Sequence, residues 1–297
     1  LFVCFNRPLK ERINNAVGKG GYVDTWYGLC AKFLESQGHK IDYSGMGQDP
    51  EFWANIQERV VDQEKPGEWL FDSLVVDEGQ DFEPLWYDIL ESFLAKDADI
   101  LWLQDPAQNI RREEAVALPE DFIGYRCSTN FRTPDGIARF IQRNLDIEFE
   151  CGNDLPGLGV GLTWYDDTEE QASIVADIVR GHLGRGFTYD DIVVVSCRGV
   201  ANAFFADLDQ LGEHIARRFT GDYDDLGNQV FSDGRLTLET IYRFKGQQAP
   251  AVVLVDVDPV SENHEWASRL LYSGMTRATT ALDIVARRDN AIVREFK

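Results

Sequence analysis

Several short segments of this sequence place polar or charged side chains directly behind apolar runs. Leu74-Val75-Val76 leads into Asp77-Glu78-Gly79-Gln80-Asp81. In open α/β sheets the ligand site lies beyond the carboxyl ends of the strands. An aspartate there can hold Mg²⁺, directly or through water, and a glutamate beside it can orient or deprotonate an attacking water. Alone, such an acidic pair is also what a solvated loop or a helix N-terminus carries; Gln80 and Asp81 make the segment more specific. Leu101-Trp102-Leu103 leads in the same way into Gln104-Asp105-Pro106-Ala107-Gln108. Gln108 there could hydrogen-bond a phosphate oxygen or a water.

Three further segments carry cations. Thr129-Asn130-Phe131-Arg132-Thr133-Pro134 presents Arg132 at the expected junction of two lobes, where an arginine can reach transferred phosphate or make an interdomain ion pair. Thr237 to Gln248 (TLETIYRFKGQQ) runs from a strand into a turn with Arg243, Lys245 and Gly246, suited to a phosphodiester backbone or to a plain surface hairpin. Arg269 to Ala278 (RLLYSGMTRA) ends an apolar helix on Thr276 and Arg277, a second phosphate-reading arginine or an exposed helix-end cation.

The elements that must position these groups are legible from hydrophobic patterning. Runs at 1–5, 73–77, 100–104, 161–165, 191–197, 236–241, 251–257 and 281–286 read as strands covered on both faces, being rich in Val, Ile and Leu without strict alternation. Helices fall between them. Pro84 suits a first helical turn, with Leu85, Ile89, Leu90, Phe93 and Leu94 at helical spacing. Thr133-Pro134 reads as a cap and a first-turn proline, and Thr168-Glu169-Glu170-Gln171 as a capping box. This alternation predicts parallel α/β sheets. The least regular stretches are 36–70, 110–127, 146–160 and 220–234.

Composition bounds the partners. The chain has 297 residues, 44% of them hydrophobic, which suits two packed domains. Its formal net charge of −22 is a poor match for a broad duplex-DNA face, though not for a narrow groove of a few cations and aromatics. Five cysteines without a CxxC pair and four histidines argue against a disulfide framework or a His-rich metal centre, and fit a reducing, cytoplasmic compartment. No apolar run approaches the roughly 18 residues of a membrane span, so no membrane partner is expected.

In order and spacing, DEGQD, QDPAQ, NFRT, TIYRFKG and GMTRA resemble the motifs of superfamily 1 DNA helicases of the UvrD/Rep/PcrA type. Cys4-Phe5-Asn6-Arg7-Pro8-Leu9 looks like the family's first DNA-contacting motif, and Asp24-Thr25-Trp26-Tyr27-Gly28-Leu29 like its TFHxL motif. The resemblance implies two RecA-like parallel-sheet lobes of the P-loop NTPase type: 1–128 as a first lobe incomplete at its N-terminus, and 129–297 as the second. It implies ATP and Mg²⁺ as cofactors and single-stranded DNA as track. By the same resemblance Asp77 holds Mg²⁺, Glu78 activates water, Gln108 senses phosphate, and Arg132 and Arg277 stabilise the γ-phosphoryl group. Gly246 and Gln248 fall at the nucleotide, and Asn6, Arg7, Thr25, Trp26, Thr240, Tyr242 and Lys245 at the DNA.

The chain departs from the pattern in specific places. No GxxxxGK[ST] phosphate loop occurs; Gly18-Lys19-Gly20-Gly21 lacks its spacing and hydroxyl. The family carries that loop before the first DNA-contacting strand, so it is expected upstream of Leu1, where there is also room for a further N-terminal domain, and these residues alone are expected not to hydrolyse ATP. Gln104 stands for a glycine, Tyr242 for a histidine, Gln248 for a glutamate, and Arg111 falls near where an aromatic stacks on a base. Short insertions point to a compact core like the smaller UvrD-like ATPases. Two other readings remain open. One is a non-catalytic DNA-binding or protein-interaction scaffold, whose acidity would favour a protein partner. The other is a helicase-like module of a larger nuclease or defence protein, for which no D…ExK cluster is present.

Overall fold

The computed structural model describes residues 1–17, 20–43, 51–111, 114–145, 147, 149–224, 228–258, 264–290 and 293–296. Gly18 and Lys19 of the glycine run, and parts of the four irregular stretches, lie outside the described residues. The chain divides into two compact units: Leu1–Ile123 with Asp224–Asn228, and Gly124–Tyr223 with Gln229–Lys297. Both are mixed α/β with parallel sheets.

The first unit contains β1 (Phe2–Cys4), α1 (Arg7–Val17), β2 (Val23–Thr25), α2 (Trp26–Ser36), α3 (Phe52–Val61), β3 (Phe71–Val76), α4 (Pro84–Glu91) and β4 (Leu94–Trp102). The strands form one parallel sheet in the order β2-β1-β3-β4. Pro84 opens α4, where its missing N–H costs nothing. Of the face predicted for that helix, Ile89 and Leu90 are buried, Leu85 is exposed, and Leu94 begins β4 instead. An aromatic core of Trp26, Phe33, Trp69, Phe82, Trp86 and Phe93 fills the space between helices and sheet.

The second unit contains β5 (Thr129–Asn130), α5 (Asp135–Asn144), β6 (Glu150–Cys151), β7 (Gly159–Tyr165), α6 (Thr168–Gly184), β8 (Ile192–Ser196), β9 (Gln210–Leu211), β10 (His214–Tyr223), β11 (Gln229–Phe231), β12 (Leu236–Thr240), α7 (Ile241–Phe244), β13 (Ala249–Val257), α8 (His264–Met275) and β14 (Ala278–Arg287). Its main sheet runs β11-β10-β12-β8-β13-β14-β7. Every pair along it is parallel except β10 with β11. β8 and β13 are almost wholly buried, as their unbroken valine runs require.

Two predicted caps move by one residue. Pro134 occupies the N-cap of α5, and the Thr133 hydroxyl accepts from Asn130 Nδ2 at 3.0 Å instead of capping the helix. Asp167, not Thr168, caps α6: its Oδ1 accepts from the Glu170 N–H at 2.9 Å. A carboxylate one residue earlier bonds its own N3 amide, Glu170, and so starts the helix one residue sooner than the Thr168 hydroxyl would. The hairpin alternative for TLETIYRFKGQQ also fails, because β8 lies between β12 and β13. The segment is a parallel crossover. No helix among the described residues is long and apolar enough to cross a membrane.

Candidate functional site

In the first unit, the parallel order puts four strand ends on one edge. Asn6 and Arg7 follow β1, Thr25 ends β2, Asp77 and Glu78 follow β3, and Gln104 to Gln108 follow β4. Val76 pairs with Trp102, so the DEGQD and QDPAQ segments leave the sheet side by side. Hydrogen bonding continues past the strand ends: Leu103 N–H donates to Val76 O at 2.9 Å, and Gly79 N–H donates to Leu103 O at 2.8 Å. A Cβ added at Gly79 would overlap the Trp102 indole nitrogen and crowd Leu103 O, so this close approach requires glycine.

Glu78 sits in the left-handed region, φ 58° and ψ 40°. A non-glycine residue there costs about 1–2 kcal/mol and persists where its surroundings hold it. Two bonds do so. Asp77 Oδ1 accepts the Glu78 N–H at 2.9 Å, and Gln80 Nε2 donates to Glu78 Oε2 at 2.7 Å. Gln80 Oε1 in turn accepts the Asp105 N–H at 2.9 Å. Asp105 Oδ1 accepts the Ala107 N–H at 3.0 Å, and its Oδ2 accepts from Gln108 Nε2 at 2.6 Å. A continuous path therefore joins Glu78, Gln80, Asp105 and Gln108, with both glutamines buried.

The other strand ends of this unit are occupied structurally. Asn6 Oδ1 caps α1 by accepting Leu9 N–H at 2.9 Å, and Arg7 is the first residue of that helix. Thr25 Oγ1 caps α2 by accepting Gly28 N–H at 3.0 Å. The buried Asp24 accepts Thr25 N–H at 2.8 Å and pairs with Lys10 at 2.8 Å and Lys32 at 2.7 Å. Trp26 corrects the sequence reading. Its side chain is 0% exposed and stacks on Trp86 with centroids 5.0 Å apart, so it is a core ring with no face left for a base. Arg111 lies with its guanidinium 4.1 Å from the Phe5 ring centroid.

In the second unit, α7 carries the chain from the carboxyl end of β12 to the amino end of β13. Thr240 ends β12, buried, its hydroxyl without a hydrogen-bond partner among the described residues. Tyr242 is half-buried on α7, Lys245 is 1% exposed, and Gln248 is exposed. Gly246 adopts φ 76°, a left-handed turn that glycine allows.

Arg132 and Arg277 meet at Thr276. Arg132 Nε donates to Thr276 O at 3.0 Å, and Arg277 Nη2 to Thr276 Oγ1 at 3.3 Å. Arg277 also donates to Ser273 O at 2.9 Å and Gln247 O at 3.2 Å. It is 1% exposed, so the alternative of an exposed helix-end cation does not hold. Asn130 Oδ1 accepts the N–H groups of Arg132 and Thr133, each at 3.0 Å, and so fixes the turn bearing Arg132.

Sequence reasoning leaves Gln80, Asp105 and Thr276 without roles, although each is one to three residues from an assigned one. Their signal was a second polar group within each motif. Among the described residues no group of three or more His, Cys, Asp or Glu side chains is placed to hold a metal ion. Asp77 with Glu78 is a hard-oxygen pair of the kind that serves Mg²⁺ when phosphates and water complete its shell.

Residues 236–285 match the family model of the UvrD-like helicase C-terminal domain. The match spans β12, α7, β13, α8 and most of β14, and includes Thr240, Tyr242, Lys245, Gly246, Gln248 and Arg277. No curated protein matches the chain. Among solved structures, the crystal structure of the C-terminal domain of a possible DNA helicase from Lactobacillus plantarum WCFS1 aligns with a TM-score of 0.42 and 17% identity, over 56% of this chain and 94% of that one. Of the segments that carry the helicase resemblance, the family match covers TIYRFKG and GMTRA.

Proposed function

We propose that this chain is the motor portion of a UvrD-like DNA helicase, built on two RecA-like lobes that couple Mg-ATP hydrolysis to movement along single-stranded DNA. The observation that carries the reading is the hydrogen-bonded path from Glu78 through Gln80 and Asp105 to Gln108, at the carboxyl ends of adjacent parallel strands.

Each group has a chemical task under this reading. Asp77 is the Mg²⁺ ligand, and the ion when bound would neutralise charge on the phosphates. Glu78 takes a proton from the attacking water, its carboxylate aimed by Gln80. Gln108 meets the terminal phosphate, and Asp105 with Gln80 transmits its position to Glu78. Arg132 and Arg277 supply positive charge to the transferred phosphoryl group; an arginine in that role is worth about 10³-fold or more in rate. Arg277 must exchange its carbonyl partners for phosphate to act, which makes its engagement sensitive to nucleotide. Asn6, Arg7 and Tyr242 lie on the DNA path, with the buried Thr240 and Lys245 beneath it.

ATP turnover needs a phosphate-cradling loop that the 297 residues do not contain, so the test uses the intact protein from cells. Its ATP hydrolysis is measured with and without oligothymidylate. Turnover that rises with DNA supports the reading; absence of turnover in both conditions overturns it.

A further inference from the structure

The β10–β11 ribbon is absorbed by none of the motifs, yet its two faces differ sharply. β10 and β11 are antiparallel, with Phe219 opposite Phe231 and Tyr223 opposite Gln229. Alternation puts Arg217 and Phe219 on one face of β10 and Arg218 and Thr220 on the other; the register shifts between Phe219 and Tyr223, where Gly221 adopts φ 96°, and Tyr223 returns to the Phe219 face. The contacts agree. Phe219 packs on Tyr223 at 5.4 Å and on Phe231 at 6.1 Å between ring centroids. The Arg217 guanidinium lies 4.5 Å from the Phe231 centroid, and that of Arg243, from α7, lies 4.3 Å from Phe219. Arg218 instead turns to Leu208 O and Asp209.

One face is therefore built of three half-buried aromatic rings and two arginines, in a chain whose net charge is −22. Arg217 is exposed, and the face's one acidic neighbour on β12, Glu239, is paired with Arg243 at 2.8 Å. The location adds a second observation. Arg218 of β10 pairs with Leu238 of β12, and β10 runs on to Tyr223 after β12 has ended at Thr240. The ribbon thus projects beyond the strand end that carries Thr240 and Tyr242. Arg243 ties the two together, donating to Glu239 and, at 3.0 Å, to Gln229 of β11.

We propose that the Arg217, Phe219, Tyr223 and Phe231 face of the β10–β11 ribbon is a stacking platform for single-stranded nucleic acid that extends the track beyond Thr240 and Tyr242. The proposal rests on the reading above that Thr240 and Tyr242 lie on a DNA path. Aromatic rings and guanidinium planes accept any base by stacking, and the arginines add attraction to phosphate. A duplex is a poor fit, since its bases are already stacked and its charge calls for a broad basic surface.

The test is equilibrium binding of fluorescein-labelled oligothymidylate to the 297-residue chain, followed by anisotropy. Phe231→Leu keeps apolar bulk and removes the ring; Arg217→Ala removes the exposed cation; Tyr242→Ala is the reference on α7. Circular dichroism melting checks that each variant remains folded. The expected result is a loss of about fivefold or more in affinity for Phe231→Leu and for Arg217→Ala, the lower end of one stacked base. If wild type binds, Tyr242→Ala weakens binding and both ribbon variants bind like wild type, the platform is overturned while the DNA path stands. If wild type does not bind, both fall.

Discussion

Gln80 Nε2 lies 2.7 Å from Glu78 Oε2, and the same side chain accepts the Asp105 amide at 2.9 Å. One buried amide thereby aims the carboxylate after β3 and holds the turn after β4. Gln80→Ala leaves the Asp105 N–H without its acceptor, which costs about 1–3 kcal/mol of stability. It also frees Glu78 to rotate, and a misplacement of this kind lowers turnover by about 10²-fold. Gln80→Glu sets a second carboxylate beside Glu78. Like charges raise a carboxyl pKa, so the acidic limb of the pH–rate profile of the intact protein moves to higher pH. An unmoved limb with normal turnover would remove Gln80 from the path.

Trp26 is a core residue, and its removal should act on stability. Trp26→Ala empties a fully buried site stacked on Trp86 and should destabilise the first unit by about 3–5 kcal/mol in urea unfolding. Trp26→Phe should cost clearly less. Full stability of Trp26→Ala combined with lost DNA affinity would return the ring to the DNA path.

Asp24 joins α1 and α2 through Lys10 and Lys32. Asp24→Asn keeps an acceptor for the Thr25 amide and removes the charge between the lysines. Both lysines retain contact with water, with side chains 26% and 51% exposed, so the expected loss is about 1–2 kcal/mol. Melting temperatures of wild type and variant at low and high salt check this; the gap should narrow with salt, and equal temperatures throughout would contradict it.

Thiol chemistry reports on both units at once. Burial, joined by nearby carboxylates, raises the Cys4 and Cys197 pKa values well above the usual thiol range, and burial alone does so for Cys30. A raised thiol pKa leaves almost no thiolate at neutral pH, and the thiolate is the reactive form. Cys127 is exposed and Cys151 half-buried. Iodoacetamide at pH 7.5 should label Cys127 first, Cys151 more slowly, and Cys4, Cys30 and Cys197 only after denaturant is added. Early labelling of Cys4 or Cys197 would contradict the packing of its unit.

Much of the frame was readable because buried parallel strands announce themselves as short apolar runs: all eight predicted runs overlap observed strands. What sequence could not give was direction. Thr25-Trp26-Tyr27 after a strand looks the same whether the tryptophan faces a groove or the core, and Trp86, sixty residues away, decides it. Phe93-Leu94 looked like the end of a helix face because both are apolar, yet Leu94 starts β4, whose pairing with Phe71 is non-local. The β10–β11 ribbon hid in an acidic, turn-rich stretch, since Phe219 and Phe231 gain meaning only when paired across strands. Arg277 was found by its motif, but its burial against Ser273, Thr276 and Gln247 is a tertiary fact.

The central claim is that Glu78 is the base of an ATP-hydrolysing site. The most direct measurement is single-turnover ATP hydrolysis by the intact protein bearing Glu78→Gln, with oligothymidylate present and nucleotide binding measured in parallel. The account predicts hydrolysis lowered by about 10²-fold or more with ATP still bound. Hydrolysis at the wild-type rate would contradict it.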